Sequence, residues 1–99
     1  MKCPSFNLFF ETLSNQTRMD IIYALMNSEA TVTQICKKTN QEQSKVSHNL
    51  KILSECHFVE SKKKGKERVY SLNKETIIPI FQLITKHVEK YCKCGCLKK

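Results

Sequence analysis

The chain has 99 residues, room for one domain and not for two. Seventeen lysines and arginines against nine carboxylates leave a formal net charge of +8, which points to an anionic partner, nucleic acid or an acidic membrane surface. No apolar run approaches the roughly 20 residues needed to cross a bilayer. Met1-Lys2-Cys3-Pro4-Ser5-Phe6 lacks the apolar stretch and small-residue cleavage site of a signal peptide, so the expected location is the cytoplasm, with no membrane partner.

Phe6, Leu8, Phe9, Phe10 and Leu13 open the chain as an apolar, helical segment. Met19, Ile22, Leu25 and Met26 follow at the spacing of a helical stripe, with Ser14 or Asn15 as its N-cap. Thr31-Val32-Thr33-Gln34 reads as a capping box that starts a short helix, interrupted at Thr39-Asn40. Asn40 and Gln43 repeat that pattern and are expected to open a longer helix whose buried side is Val46, Leu50 and Leu53. A short capped helix, a few residues and a longer helix form a helix-turn-helix.

After Phe58 the period changes. Val59 to Lys62 and Arg68 to Leu72 read as two strands, with Lys63-Lys64-Gly65-Lys66 as their turn and Gly65 supplying positive φ. Ile77, Ile80, Phe81, Ile84, Val88 and Tyr91 make a last helical stripe. Pro79 fits its first turn if Thr76 is the N-cap, where a missing N–H costs nothing; a kinked helix from Asn73 is the alternative.

Charge is concentrated rather than spread. Residues 1–36 carry a net −1, residues 37–68 a net +5 and residues 86–99 a net +4. Within the basic middle, the longer helix presents Gln43, Ser44, Ser47, His48 and Lys51 opposite its apolar side. Amide and hydroxyl side chains pair with base edges in the major groove and lysine with phosphate. On an isolated helix such a face is more often merely solvated. Here Lys62, Lys63, Lys64, Lys66 and Arg68 follow on one small hairpin, suited to the phosphate backbone or the minor groove. The helix pair, polar front and basic hairpin in this order predict a mainly α winged helix-turn-helix with a small β-hairpin wing, binding double-stranded DNA.

Three segments resemble the ArsR/SmtB repressor family. Leu13-Ser14-Asn15-Gln16-Thr17-Arg18-Met19-Asp20-Ile21-Ile22 is similar to its opening motif. Val46-Ser47-His48-Asn49-Leu50-Lys51-Ile52-Leu53 is similar to its recognition helix, and Gly65-Lys66-Glu67-Arg68-Val69-Tyr70-Ser71-Leu72 to its wing. The resemblance implies a homodimer built from the first and last helices, which represses transcription until an inducer releases it. Residues 1–91 would then be the DNA-binding and dimerisation domain and 92–99 a Cys/Lys-rich tail. Asn49 stands where the family usually has His, and His57 where it commonly has the Gly that ends the helix.

Of the six cysteines, Cys92, Cys94 and Cys96 recur at every second residue of the tail among lysines that favour thiolate. Such a set suits Zn, Cd, Cu, Pb or As(III), with Cys56 or Cys3 as a further ligand from the same or the partner subunit. A thiol redox switch, or a tail that senses nothing, are the alternatives. Cys36 reads as a small apolar residue. The family's familiar cysteine site is absent, since those positions hold Thr31-Val32-Thr33, and His87 alone does not reproduce its site on the last helix. A ligand-independent regulator, a non-specific architectural DNA-binding protein and a thiol metal buffer compete with the metal-released repressor. No catalytic constellation of any familiar kind appears, so an enzyme is not expected.

Overall fold

The computed structural model describes residues 5–92. Five helices and three short strands follow in the order α1 (Phe6–Leu13), α2 (Gln16–Leu25), β1 (Ala30–Thr31), α3 (Val32–Thr39), α4 (Gln43–Glu55), β2 (Val59–Lys64), β3 (Glu67–Leu72) and α5 (Ile77–Tyr91).

Local chemistry sets most boundaries. Asn15, rather than Ser14, caps α2, its side-chain oxygen accepting from the Arg18 N–H at 3.0 Å. Thr31 and Gln34 form the reciprocal capping box of α3: Gln34 N–H donates to Thr31 Oγ1 at 3.2 Å, and Thr31 N–H donates to Gln34 Oε1 at 2.9 Å. Two orphan donors are satisfied at once.

Asn40 does not open α4. It ends α3 in the left-handed region at φ 57°, and the Gln41 N–H reaches back to the Cys36 carbonyl at 3.2 Å. Asparagine tolerates that conformation better than most residues, so the same side chain serves either end of a helix. Glu42 is the N-cap of α4, without a side-chain bond, and Gln43 is its first helical residue.

The end of α4 is a Schellman motif. His57 sits at φ 61°, its N–H donates to Ser54 O at 3.0 Å, and the Phe58 N–H donates to Leu53 O at 2.9 Å. Phe58 and Leu53 are both fully buried, which supplies the apolar contact such a cap favours. A histidine therefore carries out the turn for which glycine is better suited.

The hairpin is longer than the sequence suggests. Pairing runs from Val59↔Leu72 to Lys64↔Glu67, leaving a two-residue turn, Gly65-Lys66, in place of the four residues expected. Gly65 at φ 63° followed by a residue of negative φ is the pattern of a type II′ turn, whose twist matches a hairpin. The sequence also gave no sign of β1. Ala30 and Thr31 pair with Tyr70 and Val69, completing an antiparallel sheet in the order β1-β3-β2.

Thr76 is the N-cap of α5 and Pro79 its third helical residue, where a missing N–H costs nothing. Thr76 makes no side-chain cap; the neighbouring Asn73 does the work. Its Oδ1 accepts from the N–H groups of Glu75 and Thr76, and its carbonyl from those of Ile77 and Ile78. Its Nδ2 donates to His57 O at 2.9 Å, which ties the start of α5 to the end of α4.

Side chains from every layer meet in one core: Ile21, Ile22 and Leu25 of α2, Ile35 of α3, Val46, Leu50 and Leu53 of α4, with Phe58, Val59, Leu72, Ile77 and Phe81. Each fully buried aliphatic contributes about 1.5–3 kcal/mol. α4 packs against α2, α3 and β2, so its back is fixed and its front is free.

Candidate nucleic-acid interface

Val46, Asn49, Leu50 and Leu53 are the buried residues of α4. Gln43, Ser44, Ser47, His48 and Lys51 are all exposed, and their spacing places them on one helical face, opposite the core. The structure therefore brings together all five side chains singled out on this helix. Short amide and hydroxyl groups dominate the patch, with two basic tips at its C-terminal half.

Asn49 belongs to the other face. Its Oδ1 accepts from Arg18 Nη1 at 3.1 Å, and its Nδ2 donates to the Lys45 carbonyl at 2.9 Å. Arg18 Nε in turn donates to Thr12 O at 2.6 Å, so one guanidinium joins α1, α2 and α4. This half-buried link ties α4 to its supporting helices, and nothing local in the sequence announces it.

The wing cations Lys62, Lys63, Lys64, Lys66 and Arg68 are all exposed, yet they are not equivalent. Side chains alternate across a strand. Val59, Leu72 and Ala30 face the core, so Ser61, Lys63, Arg68 and Tyr70 lie on the helix side of the sheet. Glu60, Lys62, Lys64, Glu67, Val69 and Ser71 lie on the outer side. Lys64 Nζ is 2.8 Å from Glu29 Oε2, just before β1, and that ammonium holds the Glu29 carboxyl below its ordinary value by hydrogen bond and charge. Arg68 Nη1 donates to Ser61 Oγ at 3.0 Å on its own side. Glu67 and Arg68 also line a cleft with Thr31, Val32 and Thr33, which puts the turn end of β3 beside the start of α3.

Away from this surface, α1 and α5 enclose an open apolar groove of about 830 Å³ lined by Ser5, Phe6, Phe9, Phe10, Ile80, Leu83 and Ile84. Phe6 is 85% exposed and Leu83 66%, and Phe10 and Tyr91 are more than half exposed. His87 lies against Tyr91 near the end of α5, with ring centroids 5.1 Å apart.

Among the cysteines, Cys36 and Cys56 are half-buried against the core, Cys56 as the C-cap of α4. Cys92 is the half-buried C-cap of α5, its N–H bonded to Val88 O at 2.9 Å. Cys3, Cys94 and Cys96 lie outside the described residues. Among the described residues no three His, Cys, Asp or Glu side chains form a cluster that would hold a metal ion, and no helix is long and apolar enough to cross a membrane.

Comparison with known proteins agrees with this geometry. Residues 15–61 match the model of the bacterial regulatory proteins of the arsR family. The chain is 26% identical over 82 residues to a transcriptional repressor SmtB homolog of Synechocystis sp., an overlap covering 83% of this chain and 62% of that protein. The chain thus spans less than two thirds of that relative's length. A homodimeric winged helix-turn-helix DNA-binding domain from Mycobacterium bovis superposes with a TM-score of 0.77 at 24% identity, over 84% of this chain and 77% of that one. The transcriptional regulator HlyU from Vibrio vulnificus superposes with a TM-score of 0.71 at 26% identity, over 85% and 84%. With its three motifs in order, a family model matching residues 15–61 and its fold, the chain is a winged helix-turn-helix protein similar to the ArsR/SmtB family.

Proposed function

We propose that this chain is a homodimeric, sequence-specific DNA-binding transcriptional repressor. The observation that carries the reading is the front of α4: Gln43, Ser44, Ser47, His48 and Lys51 form one exposed face on a helix whose back is locked in the core. Gln43 suits a bidentate pair with adenine, the serines suit several base edges, and Lys51 suits a phosphate. The basic wing beside it supplies the sequence-independent attraction to the backbone.

The dimer is supported by the apolar groove between α1 and α5, since exposed rings and leucines of that extent favour a second copy over water. A two-fold pair would set two α4 helices against successive major-groove faces, about 34 Å apart.

Release from DNA is assigned to the tail. Cys92, Cys94 and Cys96 follow directly on α5, one wall of the dimer groove, and with Cys56 or Cys3 they form a donor set for Zn, Cd, Cu, Pb or As(III). Drawing these thiolates around one ion would move α5 and with it the spacing of the two α4 helices. The test is selection of bound duplexes from a random pool, followed by titration of the selected site with Zn, Cd, As(III) and an oxidant. Wild type is expected to enrich one two-fold site and to lose it on adding a thiophilic ion, while Cys92→Ser retains it. No enrichment contradicts the repressor reading; release by oxidant alone replaces the metal by thiol redox sensing.

A further inference from the structure

The alternation of the hairpin divides the wing's cations into two groups with different surroundings. On the outer side, Lys62 and Lys64 share the surface with Glu60 and Glu67, and Glu29 reaches in from the edge of β1 to pair with Lys64 at 2.8 Å. Two lysines there meet three carboxylates, so that side is close to neutral. On the helix side, beyond Ser61 and Tyr70, stand Lys63 and Arg68, directly opposite each other in the register and with no carboxylate on either strand of that side. Lys66 sits at the tip.

The position of α4 decides which side meets DNA. α4 packs on the core side of the sheet, the side of Val59 and Leu72. A duplex seated on the front of α4 lies on the helix side of the hairpin and meets the side chains that point that way. We propose that the wing is electrostatically two-faced: Lys63 and Arg68, with Lys66 at the tip, are its phosphate-binding groups, whereas Lys62 and Lys64 make no phosphate contact and Lys64 instead anchors the hairpin to Glu29. This inference rests on the reading of the chain as a duplex-binding protein. It narrows the expectation that every wing lysine contacts DNA, since Lys64 is placed among the anchoring groups.

Salt dependence tests the assignment, because each lost phosphate contact lowers the slope of log K against log salt by about 0.9. The probe is a fluorescent mixed-sequence DNA duplex long enough for two half-sites, titrated with the 99-residue chain between about 50 and about 200 mM salt. Lys63→Gln, Lys62→Gln and Lys64→Gln are compared, all exposed positions, with circular dichroism to establish that each is folded. In a dimer each substitution occurs twice. Lys63→Gln is expected to reduce the slope by about 2 and affinity by roughly tenfold or more at the upper salt limit. Lys62→Gln and Lys64→Gln are expected to leave the slope within about 0.3 of wild type, a third of one contact. A slope lost equally in Lys63→Gln and Lys64→Gln overturns the two-faced wing while leaving DNA binding intact. A wild type without salt-dependent duplex binding overturns both.

Discussion

Arg18 Nη1 and Asn49 Oδ1 lie 3.1 Å apart, joining the segment that opens α2 to the middle of α4 across 31 residues of sequence. The pair fixes the recognition helix on its support. Replacing Asn49 by Ala leaves a half-buried guanidinium donor unanswered, at a cost of about 1–3 kcal/mol. Asn49→Ala and Arg18→Gln are each expected to lower Tm by several degrees. In a double-mutant cycle the combined loss should be smaller than the sum. Strict additivity by thermal or urea unfolding contradicts the coupling.

His57 at φ 61° stores strain that glycine would not. The left-handed region costs an ordinary L-residue about 1–2 kcal/mol, and the added freedom of glycine in the unfolded chain returns about 0.5–1 kcal/mol of that. His57→Gly is therefore expected to stabilise the fold by up to about 1 kcal/mol in chemical denaturation. Asn40→Gly, at a residue that already tolerates φ 57°, is expected to gain less.

The Lys64 ammonium depresses the Glu29 carboxyl. A carboxylate with its folded pKa below its unfolded one adds stability above the unfolded value, and the contribution is lost as pH falls through the folded pKa. Glu29 is therefore expected to titrate by carboxyl NMR below the ordinary glutamate range, and to return toward it in Lys64→Gln. An unchanged Glu29 midpoint in that variant contradicts the ion pair.

The groove between α1 and α5 predicts a further result. Leu83→Glu places a carboxylate twice in a two-fold interface. A buried unpaired charge costs about 3–5 kcal/mol, so the dimer constant should weaken at least 100-fold. Sedimentation equilibrium reads the change directly. A wild type that is monomeric, or a variant that dimerises equally well, contradicts the assignment of this face.

Features specified by near neighbours were legible in the sequence. The Thr31–Gln34 box, the positive φ at Gly65, the start of α5 at Thr76 and the exposed front of α4 all follow from residue types and spacings within a single element or turn. Features specified at a distance were not. β1 is two residues long and exists because β3 offers it a partner. Asn40 ends α3 instead of opening α4 because asparagine is favoured both as an N-cap and in the left-handed cap that ends a helix, and only the course of the chain decides. The division of the wing lysines needed the register, since a shift of one residue exchanges the two sides. The tail cysteines Cys94 and Cys96 and the N-terminal Cys3 fall outside the described residues, so metal-linked release rests on their spacing in the sequence.

The central claim is that duplex DNA seats on the front of α4. Ser44→Glu with Ser47→Glu puts two negative charges on that face without touching the core. By fluorescence anisotropy on a duplex selected by wild type, the folded double variant is expected to lose at least 100-fold in affinity, as like charges close to the backbone cost several kcal/mol. Wild-type affinity in that variant would contradict the account.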